Sequence, residues 1–144
     1  MMSLKPFTYN ITSSDNPEDS TIYLYIPSDC DYFKAECTNF YMNYDAVKKL
    51  DKTEYVILVA DNLAIPEKRQ GLLKNQCPLV VFDRKGGPPN TEKEGFIIEN
   101  KPKKVRFRLY DLKYKPLKNI AKKGKQIQWD LTIKFTPIYN FNDE

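Results

Sequence analysis

The 144-residue chain contains no histidine. That removes the usual general base at neutral pH, together with the serine and cysteine relays that depend on it. Paired carboxylates are one candidate for acid–base work: Asp29 and Asp31 stand on one short loop, and Asp15, Glu18 and Asp19 on another. Acids so placed are far more often solvated turn formers than a catalytic pair. Asp29-Cys30-Asp31 offers two carboxylates at alternate positions, as a calcium loop does, but no glycine follows where an EF-hand needs its sharp turn. Cys30, Cys37 and Cys77 match no zinc spacing, so they read as reduced, partly buried small hydrophobes. Gly86-Gly87 is followed by Pro88-Pro89, which prevents the helix that a phosphate-cradling loop requires; the pair is a hairpin or loop tip. No catalytic residue, metal site, cofactor or small-molecule substrate emerges from these patterns, and the chain reads as non-enzymatic.

Charge is the stronger signal. Between residues 101 and 125 stand Lys101, Lys103, Lys104, Arg106, Arg108, Lys113, Lys115, Lys118, Lys122, Lys123 and Lys125 against Asp111 alone, a net +10, whereas Met1 to Ala60 sums to −4. Such a split points to an anionic partner, either another protein's acidic face or nucleic acid. The competing explanation is that lysines on loops and strand edges block unwanted strand pairing. Phe107, Tyr110 and Tyr114 are interleaved with the cations, as in a groove that binds single strands by charge plus stacking. Phe107 falls in the inward register with Val105 and Leu109, which leaves Tyr110 and Tyr114 to stack. Because most of the cations are lysines, a diffuse electrostatic contact fits better than a site of fixed phosphate geometry.

The elements that must position this segment are strands. Ile127, Trp129, Leu131, Ile133 and Phe135 alternate with polar residues over Gln126 to Phe135, so that stretch is a strand with one buried face. Val105, Phe107 and Leu109 alternate with Arg106, Arg108 and Tyr110 to give a second, with a cationic outer face. Between them, 111–125 carries Pro116, Gly124 and many lysines, and is expected to be an exposed basic loop. The runs Tyr55 to Ala60 and Leu79 to Phe82 are continuously apolar, as in central strands covered on both faces. Shorter strands are expected at Phe7 to Thr12, Ser20 to Ile26 and Gly95 to Glu99, and Tyr32 to Met42 is long enough to need a bulge. One or two helical turns over Asp45 to Asp51, and Ile65 to Lys74, are decorations at most.

About eight short strands in a chain with 19 aromatics and ten prolines predict an all-β, antiparallel sandwich: a single jelly roll, with an immunoglobulin-like sandwich as the alternative. One domain is expected over 1–144, with its core over about 7–139. No apolar run reaches membrane-spanning length and Met1 to Asn10 lacks a secretion-signal layout, which predicts a cytosolic or nuclear protein.

Two stretches carry a family resemblance. The closing KVRFRLYD, LKYKPL and IQWDLTIKFTPIY resemble the C-terminal hairpin of the single jelly-roll minor capsid proteins, cementing or penton-like, of large double-stranded DNA viruses and virophages. Likewise STIYLYIP followed by YFKAECTNFYMN resembles the opening strands of such proteins. The resemblance covers roughly Phe7 to Tyr139, with a longer lysine-rich insertion before Gln126 than the pattern has, and it carries over no functional residue. It implies a virion protein, assembled in the host cytoplasm or nucleus, whose partners are other capsid proteins and copies of itself. A nucleic-acid-binding β module using 101–125 is the alternative. A ligand- or carbohydrate-binding sandwich is a further one, although Trp129, the residue best suited to stack a sugar, lies in the inward register.

Overall fold

The computed structural model describes residues 5–25, 31–50, 55–61, 77–86, 89–91, 96–99 and 104–138. Nine strands account for most of them: β1 (Phe7–Thr12), β2 (Asp19–Tyr23), β3 (Tyr32–Met42), β4 (Tyr55–Asp61), β5 (Cys77–Asp83), β6 (Asn90–Thr91), β7 (Phe96–Glu99), β8 (Lys104–Tyr110) and β9 (Trp129–Ile138). One sheet has the order β1-β9-β3-β7 and the other β2-β8-β4-β5-β6, and every pairing is antiparallel. Only β4, β5 and β6 follow one another within a sheet; every other connection crosses to the opposite one. With the two-residue β6 set aside, this is the eight-strand order of a jelly roll. An immunoglobulin sandwich would instead join its first two strands as neighbours in one sheet.

The core forms because each sheet turns the alternate apolar residues of its strands inward. Along β9, Trp129, Leu131, Ile133 and Phe135 are buried; along β8, Val105, Phe107 and Leu109 are. The two sheets meet through ring pairs, Phe107 against Trp129 at 5.7 Å between centroids and Phe40 against Phe82 at 5.0 Å. Burial of each such ring contributes on the order of 1.5–3 kcal/mol. The Trp129 indole N–H donates to the Pro17 carbonyl at 2.8 Å, so its one polar atom is satisfied inside the core.

β4 is covered on both faces, as its unbroken apolar run predicts. Val56, Leu58 and Ala60 face the main core, while Ile57 and Val59 form a second small cluster with Tyr110 on the outer face of the sheet. The long β3 does contain a register shift, between Cys37 and Asn39.

Several boundaries differ from the sequence expectation. β9 starts at Trp129, not Gln126, because the Asn43 side chain occupies the pairing position: its Nδ2 donates to the Gln126 carbonyl and its Oδ1 accepts from the Gln128 N–H, each at 2.8 Å. Ile127 is nevertheless buried. β6 is unexpected; it pairs with β5 beyond a turn in which the Gly86 N–H donates to the Asp83 carbonyl. Gly86 sits at φ +101°, against the Tyr44 ring, where a side chain would be strained. The Asp45 helix shrinks to a 3-10 turn at Tyr44–Ala46, since Val47 is drawn into a bridge with Ala121. The stretch Ile65 to Lys74, with Gly87, Cys30 and Asp29, lies outside the described residues.

Candidate partner-binding surface

β8 divides the basic segment by face. Its inward residues are wholly buried, which leaves Lys104, Arg106, Arg108 and Tyr110 on the outer face. β2 and β4 flank β8, and both bring carboxylates to that face. Arg106 donates from Nε and Nη2 to the two oxygens of Asp19 at 2.7 and 2.6 Å, a bidentate pair. Arg108 lies 3.5 Å from Asp61 and stacks over the Tyr110 ring at 5.1 Å. Hydrogen bonding by Arg106, with the added charges of Arg106, Arg108 and Lys118, holds the Asp19 carboxyl below the usual aspartate value despite partial burial. Both arginines of the segment are thereby neutralised within the molecule.

Tyr110 does not stand free to stack. It is 2% exposed, packed with Ile57 and Val59, and its hydroxyl donates to the Asp61 carboxylate at 3.2 Å. The strand pattern places it outward correctly, but here the outer face has its own apolar cover. Tyr114 is half-buried against the same cluster, its ring 6.0 Å from that of Tyr110. Base stacking on Tyr110 is therefore blocked, and Tyr114 keeps only part of its ring exposed.

The 111–125 loop also departs from a simple exposed loop. Ile120 is 1% exposed, and Leu117 and Ala121 pack against the core. Asp111 Oδ1 accepts from the backbone N–H of Lys113 and of Lys115, which winds the start of the loop into a tight turn. Farther on, Lys48 N–H donates to the Ile120 carbonyl at 2.8 Å and Lys122 N–H to the Ala46 carbonyl at 2.7 Å. Glu18 completes the attachment: its Oε1 accepts from the Ile120 N–H at 3.2 Å. The acidic 13–19 turn thus docks on the basic loop of its own chain. Between them lies a cleft of about 200 Å³ lined by Asn16, Glu18, Asp19, Arg108, Lys118 and Asn119, among others.

What remains open to a partner is lysine. Lys104, Lys113, Lys115, Lys118, Lys122, Lys123 and Lys125 are exposed, and none forms an ion pair with a carboxylate among the described residues. Lys104 does lie over the Tyr23 ring at 5.1 Å. Lys101 and Lys103 lie outside the described residues. The sequence reading passed over Asp61 and Ile120, and the intramolecular role of Glu18 and Asp19. A lone Ile120 amid lysines is a visible anchor signal; the pairing of Glu18 with a residue about a hundred positions away is not.

Among the described residues no group of three or more Cys, Asp or Glu is placed to hold a metal, and no helix is long and apolar enough to cross a membrane. No family model, curated protein or solved structure matches the chain.

Proposed function

We propose that this chain is a structural protein that works by docking, a minor shell component of a virus that binds the major capsid lattice, copies of itself, or both. The observation that carries the reading is the jelly-roll strand order, an architecture that serves viral capsid domains. Lectins and cupins share that architecture, so strand order argues by analogy; the resemblance of the closing hairpin to minor capsid proteins narrows it. Within this reading the lysines of the 111–125 loop are the docking groups, since both arginines already have carboxylate partners. A rigid sandwich that presents a fixed, cationic loop suits contact with an acidic face of a neighbouring subunit. The test is co-expression with the shell protein of the virus whose genome encodes the chain, followed by electron microscopy of purified particles. Density for the chain on the shell supports the reading; a chain that never copurifies with particles overturns it.

Nucleic-acid binding is the second reading, favoured by the seven exposed lysines. Titration of the chain with a single-stranded oligonucleotide at several salt concentrations decides it. Affinity must fall steeply with salt if phosphates are the ligands; no binding at 50 mM salt ends that reading. Burial of Tyr110 removes one stacking platform, so such binding would rest mainly on phosphate contacts.

A further inference from the structure

The sandwich has four sheet edges, and they differ in how well they are protected against pairing with another strand. β6 is two residues long and β7 four. β2 carries Asp19 at its start and has the Lys104 ammonium over its last ring. β1 has none of these devices: its six residues, FTYNIT, include no charge, no proline and no bulge. It pairs with β9 on one side, and no backbone hydrogen bond joins it to anything on the other among the described residues. Its outward residues Thr8, Asn10 and Thr12 are exposed, and its inward Phe7 and Tyr9 are half-buried where interior strands bury theirs.

We infer that β1 is a strand-pairing site whose occupant is β1 of a second copy, joining two four-stranded sheets into one of eight strands. Self-pairing fits this strand because it has no charge, so a two-fold arrangement brings no like charges opposite one another. An antiparallel two-fold pair in a continuous sheet must be centred on a residue, so that inward side chains meet inward ones. Centring on Tyr9 sets Tyr9 opposite its own copy and Phe7 opposite Ile11, which gives every half-buried ring an apolar neighbour. Centring on Asn10 would instead set Phe7 opposite Ser13. The inference goes beyond the docking role proposed for the lysine loop, which lies on a different surface, and it does not require the shell partner.

Sedimentation velocity of the full chain over a range of concentrations up to about 100 µM is the test, paired with backbone hydrogen exchange at the same concentrations. A dimer is expected, with amides of residues 7–12 protected more strongly as concentration rises. Thr8→Glu is the variant of choice. Thr8 is exposed and lies opposite Lys134 on β9, so a carboxylate is tolerated within the monomer. In the Tyr9-centred pair the two copies of position 8 are diagonal neighbours, so the charges repel. The variant should keep the wild-type melting temperature as a monomer and weaken the dimer about two- to fivefold, the size of one like-charge pair across strands. A chain that stays monomeric at 100 µM overturns the inference and leaves the docking reading standing. A dimer that Thr8→Glu does not weaken, or whose formation leaves 7–12 exchange unchanged, places the contact elsewhere and overturns it equally. Protection of β1 by an added shell protein but not by a second copy would assign the edge to that protein, and would also overturn it.

Discussion

Trp129 ties the inside of the sandwich to the acidic turn that holds the lysine loop. Its indole is fully buried and donates to the Pro17 carbonyl, and its backbone N–H donates to Ser13 Oγ. Replacing it by Phe keeps most of the ring but strands the carbonyl, and is expected to cost about 2–4 kcal/mol from the lost donor and the small void together. The urea midpoint measures this, and a change below 1 kcal/mol would contradict the assignment. Cys37 is buried, and burial pushes its thiol up to about 11. It should therefore resist iodoacetamide at pH 8 in the folded chain and react in urea, as peptide mass spectrometry would show. Asp19 titrates the other way. Its carboxyl is held low in the folded state, so the pair with Arg106 contributes stability above the ordinary aspartate value and loses it as pH falls through the lowered one. The pair is partly exposed, so the effect is at most about 1 kcal/mol. The stability advantage of wild type over Asp19→Asn should accordingly be present at pH 6 and shrink below about pH 4; a constant gap from pH 6 to pH 2 would show that the pair contributes nothing through charge.

β8 and the loop after it differ in how much of their structure is set locally. The strand was readable because alternation of Val105, Phe107 and Leu109 with cations has only one sheet solution with a buried face. The loop was misread in part because lysine count hides anchoring: three apolar residues, Leu117, Ile120 and Ala121, fasten it to the core. Glu18 should be the element that can be released without disturbing the sandwich. Glu18→Ala leaves the Ile120 N–H without its acceptor and is expected to cost about 1–3 kcal/mol, with faster amide exchange over 117–122 and unchanged exchange in β9. Glu18→Gln retains an acceptor oxygen and should restore most of the protection. If both variants behave alike, the carboxylate charge rather than the hydrogen bond holds the loop.

For the molecule as a whole, the first strand pairs with the last, and all but two connections cross between sheets. Such contacts close long loops before they stabilise anything, which slows folding. Refolding followed through Trp129, the single tryptophan, should take milliseconds to seconds; completion within tens of microseconds would be inconsistent with this topology. The same topology explains why charge segregated along the sequence is not segregated in space. The acidic residues of the 13–19 turn and the cations of β8 are brought together because β2 and β8 are neighbours.

Every strand except β6 was legible in the sequence together with its inward face, apart from a few end residues, since period-two alternation and continuous apolar runs act locally and leave one register that buries them. The sequence also determined that a jelly roll was the leading way to pack about eight such strands. Which strands are neighbours was settled by long-range packing, and with it that Arg106 and Arg108 meet Asp19 and Asp61, that Tyr110 joins a second apolar cluster, and that β1 ends as an uncharged edge. Those outcomes depend on pairings between residues far apart in the chain, which local spacing does not encode. The lysines described between 104 and 125 are exposed as their sequence context implies, because a flexible ammonium needs no partner other than water.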